Sequence, residues 1–244
     1  MYFPTTQWTL LAQATLSGES AGRQALEDLC HRYWSPLYHF IRARGYNEAE
    51  AKDLTQEFLL HLVEHSTLQK ADRSRGKFRS FLCGALVRFL ADAYDKRQAQ
   101  KRGGGTAHVE LDSTAEELGA ISTPDELVFD REWALVILEN AMQTVERQFK
   151  GAESQFAVLR QFLPGSIAVP SYEQAATQLG LNLPALKSEL HRLRQRFKAA
   201  VREEVAATIS APHEIDQEMI HLQKVLMNKG IDWNISPKPS PPAS

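Results

Sequence analysis

Cysteine is scarce in this sequence, with only Cys30 and Cys83 among 244 residues. The two lie far apart, each within an apolar helical pattern, and no CxxC spacing occurs. This scarcity excludes a disulfide-rich secreted fold and a zinc site built on cysteines. We therefore predict two reduced, buried thiols in a cytoplasmic protein.

Long apolar runs are also missing. The first residues have neither the basic stretch nor the apolar run of a signal peptide, and no window approaches the ~20 apolar residues that a membrane span requires. We expect a cytoplasmic chain that makes no contact with a membrane.

Motifs of enzyme active sites do not occur either. The sequence contains no phosphate-binding loop and no HExxH motif, and its histidines are scattered. His61 and His65 stand four residues apart in a helical pattern, as a metal-binding pair would, but no third ligand is evident. Surface or partly buried histidines are the simpler interpretation. We predict a non-enzymatic protein that holds no metal and no cofactor.

Positive charge is concentrated in two places, although the net charge is only −2. Residues 73–102, the first basic segment, carry nine basic and two acidic side chains, and residues 187–202, the second basic segment, carry six and one. Residues 103–186 between them hold twelve acidic and four basic side chains. This distribution favours two separate contacts with a polyanion such as DNA. A basic helix can also meet RNA, an acidic partner or only water.

Hydrophobic residues recur with helical spacing and strand alternation is not convincing, so we predict an all-α fold. The polar, acidic residues 103–123 are bounded by turn formers, which is typical of a flexible linker. We therefore expect two helical domains joined by that linker. Helices are predicted over residues 19–44, 47–65 (with Asn47 as N-cap), 77–102, 124–149 and 154–162.

A helix-turn-helix pattern covers residues 171–197, SYEQAATQLGLNLPALKSELHRLRQRF. Ser171 is the expected cap, and small residues with a glycine at the turn let the two helices cross closely. The second helix presents a polar and basic face suited to phosphates and guanine edges in a major groove. That face comprises Lys187, Ser188, His191, Arg192, Arg194 and Arg196. Helical hairpins with a basic face also occur in bundles that bind no DNA.

Two stretches resemble the sigma-70 family. Residues 26–64, with the core DLTQEF at 53–58, resemble region 2, and residues 171–197 resemble region 4. With only a linker between them, the chain resembles the extracytoplasmic-function (group 4) sigma factors, in a subgroup with a C-terminal extension. The resemblance covers residues 5–209. It implies a transcription initiation factor that binds core RNA polymerase, directs it to promoters and assists DNA opening.

The resemblance also implies where each region of the chain lies and which residues bind the polymerase. Region 2 would occupy residues 1–102, the linker 103–123, region 4 residues 124–209, a helical extension 210–230 and a disordered tail 231–244. The DLTQEF helix would dock on the β′ clamp helices of the polymerase, and the β flap is the second expected polymerase contact. The implied polymerase-binding residues are Asp53, Leu54, Gln56, Glu57 and Phe58.

Promoter DNA would be bound at two elements. The resemblance assigns the −10 element to the loop 68–77 and the first basic segment, through Arg73, Arg75, Lys77, Arg79, Arg88, Lys96, Arg97, Lys101 and Arg102. It assigns the −35 element to the outward residues of the second helix of the helix-turn-helix, Lys187 to Arg196 as given above. Glu189 departs from the family pattern and could accept a hydrogen bond from a cytosine amino group or repel phosphate.

Other interpretations stay open at the level of sequence. The chief alternative is a helix-turn-helix repressor or activator that binds operator DNA without a sigma role, although a repressor has no reason to carry DLTQEF before a basic helix. A phage or plasmid regulator that binds polymerase without melting DNA is a third interpretation. An anti-sigma factor or another regulator would be a further partner.

The C-terminal extension has an amphipathic pattern with two interpretations. It would either complete the core of region 4 or hold the two regions in a compact, inhibited form. Its expected buried residues are Ile215, Ile220, Leu222, Val225 and Leu226.

Overall fold

The computed structural model describes residues 19–64, 77–101, 124–166, 169–209, 211–228 and 230–231. These residues form α-helices and short 3-10 turns, with no strand among them, which confirms the all-α prediction. The helices are α1 (Glu19–Ala43), α2 (Glu48–Glu64), α3 (Phe78–Lys101), α4 (Pro124–Glu146), α5 (Glu153–Leu159), α6 (Tyr172–Leu179), α7 (Leu183–Ala207) and α8 (Ile215–Asn228). No helix in these ranges is long and apolar enough to cross a membrane.

The chain divides into two compact units. The first unit comprises Met1–Trp133 and Ala207–Ser210, and the second comprises Ala134–Ala206 and Ala211–Ser244. The division falls inside α4, whereas the boundaries expected from the family resemblance fall at the ends of the linker and at residue 209. The physical reason is that Phe129 in the first part of α4 is fully buried in the first unit. The expected linker lies outside the described residues, and so does the expected tail apart from its first residue, Ile231.

The core of the first unit lies among α1, α2 and α3. The α1 helix packs along α2 and continues through Pro36 without interruption. Each helix contributes buried side chains three and four residues apart, as expected for helices with one apolar face. The largest of them are Tyr33, Phe40, Phe58 and Phe78, each at most 2% exposed. Burial of each such side chain contributes about 1.5–3 kcal/mol, so their packing stabilises the three helices against one another.

A distant part of the chain completes the first unit at the beginning of α3. The backbone N–H of Phe78 donates to the carbonyl of Thr208 at 3.2 Å. Thr208 and Ile209 are themselves buried, at 2% and 3% exposure. The first N–H groups of a helix have no partner within the helix, so an acceptor from elsewhere satisfies one of them. Residues that follow α7 are therefore structural members of the first unit.

In the second unit, α5 and α6 pack together, and α7 contributes a row of buried side chains. The α7 helix extends to Ala207, beyond the predicted end at Phe197, because its buried positions continue through Val201 and Val205. Arg202 of α7 donates to Asp216 of α8 at 2.6 Å. These contacts place α8 in the second unit.

The prediction for the buried face of α8 is correct in part. Leu222 and Leu226 are buried, and Ile215 and Val225 are half-buried. Ile220 is 53% exposed, so its assignment to the buried face is wrong. The buried residues Glu218, Leu222 and Leu226 are four positions apart and form one row along the helix. Ile220 stands two positions from Glu218 and from Leu222, so its side chain points to the opposite side of the helix.

Candidate functional site

The α2 helix begins with a reciprocal cap. The Asn47 side-chain oxygen accepts a hydrogen bond from the Glu50 backbone N–H at 2.9 Å, and the Glu50 carboxylate accepts one from the Asn47 backbone N–H at 3.1 Å. Asn47 is the predicted N-cap, and the prediction is confirmed. Lys52 donates to Glu48 at 2.7 Å, and this hydrogen bond lowers the pKa of the Glu48 carboxyl. These contacts set the start of α2 and therefore the direction in which each later side chain points.

The outward face of α2 consists of Asp53, Gln56, Glu57 and Leu60. The first three are exposed and Leu60 is 49% exposed. Their spacing of three and four residues places all four on one side of the helix. The face therefore has a large apolar side chain beside two carboxylates and an amide. Sequence reasoning missed Leu60, although it stands two positions beyond DLTQEF at the same helical spacing.

Two of the expected polymerase-binding residues lie on the other side of α2. Leu54 is 1% exposed and Phe58 is fully buried, so both belong to the core of the first unit. The Phe58 ring packs against Phe89 of α3 with ring centroids 5.5 Å apart. Because a buried side chain cannot contact a partner without unpacking this core, the candidate surface of α2 does not include these two residues.

The described surface of α3 carries charge of both signs. Arg88 and Lys96 are exposed and Lys77 is half-buried, but Asp92 and Asp95 are exposed too. The remaining predicted contacts to the −10 element, Arg79 apart, lie outside the described side chains: Arg73, Arg75, Arg97, Lys101 and Arg102. The described part of the first basic segment therefore offers at most three of its predicted phosphate contacts to a ligand.

Arg79 lies on the packed side of α3. Its guanidinium donates to the Asp130 carboxylate at 2.6 Å, and the two side chains are 13% and 6% exposed. The same guanidinium lies over the Trp133 ring, 5.5 Å from its centroid, in cation–π geometry. Arg79, which was expected to bind the −10 element, is therefore packed against α4 in this structure and is not on the exposed side of α3. The ion pair and the ring contact both come from the first part of α4.

The Cys83 thiol lies beside the same pair. Burial raises its pKa far above the ordinary value of 9.0, and the Asp130 and Glu126 carboxylates raise it further. A thiol that stays protonated is a poor nucleophile and a poor metal ligand. Cys83 is therefore a packing residue, as predicted, whereas Cys30 is only half-buried.

The start of α4 also contacts α1. The rings of Phe40 and Phe129 meet edge to face, with centroids 6.4 Å apart. The Ser35 hydroxyl donates to the Glu132 carboxylate at 3.3 Å. Together with the Arg79 contacts, these interactions make residues 124–133 a packed element of the first unit.

The helix-turn-helix of the second unit has the predicted local signals. The Ser171 hydroxyl accepts from the Gln174 backbone N–H, and the Gln174 side chain accepts from the Ser171 backbone N–H, which is a complete capping box. Gly180 ends α6 in the left-handed conformation at φ 65°, which glycine adopts without strain. The Asn182 side chain then accepts from the Ala185 N–H at 2.9 Å and caps α7. The turn between the two helices is thus fixed on both sides.

The outward face of α7 agrees with the sequence pattern. Lys187, Ser188, His191 and Arg192 are exposed, while Leu186, Leu190, Leu193 and Phe197 are buried beneath them. Gln195 is exposed and stands four residues beyond His191, so it continues the same row of side chains. Sequence reasoning passed over Gln195 because it is uncharged.

The arginines of α7 differ in their surroundings. Arg192 pairs with the Glu189 carboxylate three residues earlier on the same helix. Arg196 lies over the Phe149 ring, 5.9 Å from its centroid. Arg194 is half-buried, and its Nε atom is enclosed by protein. The predicted contacts to the −35 element therefore include arginines that are already held by neighbours in the second unit.

The histidine pair of α2 receives no support from the structure. His61 is half-buried against the Phe89 ring, with centroids 5.6 Å apart, and His65 lies outside the described residues. Within the described part of the chain, no group of three or more potential metal ligands comes together.

The described surfaces thus comprise a polar face with an apolar centre on α2 and a basic face on the second helix of a helix-turn-helix. No curated protein and no solved structure matches the chain. A sequence model of one family, described as ECF sigma factor, matches residues 7–203 and so includes both faces. Members of that family are transcription initiation factors that bind RNA polymerase and promoter DNA. The chain belongs to the ECF sigma factor family.

Proposed function

We propose that this sigma factor binds core RNA polymerase through the outward face of α2 and promoter DNA through the outward faces of α3 and α7. The observation that carries the proposal is the position of Leu60, which is 49% exposed among Asp53, Gln56 and Glu57. The core of the first unit leaves this apolar side chain in water. A partner that covered it would gain the free energy of its burial.

The chemistry of the α2 face indicates the kind of surface it fits. Protein interfaces combine an apolar centre with a polar rim, and here Leu60 supplies the centre. Asp53 and Glu57 make the rim acidic, so the complementary surface is basic. A helical surface would suit the three- and four-residue spacing of the α2 side chains. We assign this role to the β′ clamp helices of the polymerase and propose the β flap as the partner of region 4.

Promoter recognition is proposed to use both basic segments. The exposed row Lys187, Ser188 and His191 on α7 would bind the −35 element in the major groove. Arg88 and Lys96 of α3 would hold phosphates near the −10 element. The loop before α3 would capture a base extruded during DNA opening. Two contacts on separate units suit a protein that must hold duplex DNA upstream while DNA opens downstream.

Region 2 is assigned to residues 1–102 and region 4 to residues 124–209, with residues 124–133 also packing in the first unit. An anti-sigma factor or another regulator is a further proposed partner. Operator binding without a sigma role is not favoured, because a repressor would have no use for an exposed acidic and apolar face on α2.

The affinity of the full-length protein for core RNA polymerase, measured without DNA, tests the assignment of α2. Leu60→Ala and Glu57→Gln should each weaken binding about fivefold or more, since interface centres concentrate the binding energy. Helicity should stay unchanged because both side chains are exposed. Glu27→Gln is the matched control for Glu57→Gln, since it removes the same charge from an exposed position of α1. Wild-type affinity for both test variants would refute the assignment.

A further inference from the structure

Glu189 and Arg192 form an ion pair on the outward side of α7. The carboxylate side chain is 31% exposed and the guanidinium side chain 57%, so the acid lies deeper and the arginine nearer to solvent. The acid stands next to the buried Leu190, while Arg192 borders the exposed row of Ser188 and Gln195. The Glu189 carboxylate thus holds the Arg192 guanidinium from the side nearer to the core of the second unit.

This arrangement changes what Arg192 can do. A guanidinium has five N–H donors, so a contact from one Nη to a carboxylate leaves donors free for a second, planar acceptor. The pair has no net charge, which reduces its attraction to phosphate. Guanine offers two acceptors, N7 and O6, on its major-groove edge, and arginine binds both at once. An arginine that is held by a carboxylate and neutralised by it is therefore suited to bind a guanine edge rather than the DNA backbone.

Lys187 gives a contrast on the same helix. Its ammonium is exposed, and no ion pair of this side chain occurs within the described residues. A compact mobile charge of this kind neutralises a phosphate without selecting a base. Lys187 and Arg192, five positions apart on one helix, would thus contribute differently. Lys187 would add to the affinity for DNA, and Arg192 would discriminate between bases.

We infer that Glu189 is a specificity-determining positioning residue, which holds Arg192 so that Arg192 reads one guanine in the upstream promoter duplex. The inference rests on the proposed role of α7 in binding the −35 element. In this inference the Glu189 carboxylate acts on Arg192 rather than directly on a cytosine or a phosphate, since one of its oxygens accepts from the guanidinium. An ordinary pair three residues apart on a helix stabilises the helix only slightly, and such a pair would have no effect on base preference.

The test uses holoenzyme assembled from core polymerase and the full-length chain, with duplex promoter fragments selected from a pool randomised over the upstream element. Arg192→Ala should lose the preference for guanine at one base pair, about fivefold or more. Glu189→Gln should lose the same preference while binding the average fragment more tightly. It should also steepen the dependence of log affinity on log salt by about one unit, because Arg192 becomes free to neutralise a phosphate. Glu189→Asp should restore part of the preference.

Glu203→Gln is the matched control, since it removes the same charge from an exposed position further along α7. It should leave the base preference unchanged. If Glu189→Gln keeps the guanine preference of the wild type, the positioning role is refuted, while the role of α7 in promoter binding stands. If neither Arg192→Ala nor Lys187→Ala affects upstream binding, the proposed role of α7 itself is refuted.

Discussion

The Arg79 guanidinium donates to the Asp130 carboxylate at 2.6 Å, across 51 positions of sequence. Arg79 belongs to the segment expected to bind the −10 element, and Asp130 to the helix expected to begin region 4. Both side chains are largely buried, at 13% and 6% exposure. Loss of one partner from a buried pair leaves an uncompensated charge, so the pair is costly to break. In this structure Arg79 stabilises the first unit rather than offering its charge to DNA.

Asp130→Ala should therefore destabilise the protein strongly. The expected loss is about 3–5 kcal/mol in the free energy of unfolding, measured by urea denaturation, because Arg79 would stay buried without the Asp130 carboxylate. The double variant Arg79→Met/Asp130→Leu should be much closer to the wild type. Asp216→Ala is the comparison, since it breaks the exposed pair with Arg202 and should cost less than about 1 kcal/mol. Similar small losses for Asp130→Ala and Asp216→Ala would contradict a buried role for Asp130.

Stability should depend on Cys83 at alkaline pH. The pKa of this thiol is raised in the folded state, so above its ordinary value of 9.0 the unfolded chain loses a proton that the folded chain keeps. The contribution is fully present below pH 9.0 and declines as pH rises, by up to about 1.4 kcal/mol per pH unit. Cys83→Ala should lack this decline, and the two proteins should differ by a constant amount at neutral pH. Parallel stability curves up to about pH 10.5 would show that the folded thiol titrates normally.

Two glycine substitutions should have opposite effects. Gly180 ends α6 at φ 65°, and a Cβ there would meet no atom within 4 Å. The cost of Gly180→Ala is then backbone strain alone, about 1–2 kcal/mol, and the melting temperature should fall. Gly84 lies inside α3 and also has open space, so Gly84→Ala should stabilise the protein by about 0.5–1 kcal/mol. A higher melting temperature for Gly180→Ala would be incompatible with the observed turn.

The α8 helix should behave as a structural part of the second unit. Leu222→Ala should cost about 2–5 kcal/mol because the side chain is fully buried. Ile220→Ala, on the exposed side of the same helix, should change stability by less than about 0.5 kcal/mol. Truncation after residue 210 should lower the melting temperature and promote aggregation. A truncated protein that is folded, as stable as full length and more active in transcription would instead support an inhibitory role.

The helix starts were predictable because their signals are local. Asn47 and Ser171 are each followed three residues later by a side chain that completes the cap. The burial of Arg79 was not predictable, since its partner Asp130 is far away in sequence. Every basic residue of the first basic segment suits a phosphate equally well, so the sequence does not single out Arg79. Leu60 was missed because exposure on α2 depends on how α1 and α3 cover the other side. Local patterns thus predict the helices and their buried and exposed sides. Which charged side chains stay on the surface depends on pairing between residues far apart in sequence.

The hydrogen bond from Phe78 to Thr208 has a consequence for the order of events during synthesis. The ribosome makes α1, α2 and α3 well before it makes Thr208, so the beginning of α3 emerges without its acceptor. Domains usually fold from the N-terminus as they emerge. Here the first unit cannot reach its final packing until α7 has been translated and residues 207–209 have left the exit tunnel. A nascent chain that ends before Ala207 would therefore hold an incomplete first unit, and a full set of promoter- and polymerase-binding surfaces would form only near the end of translation.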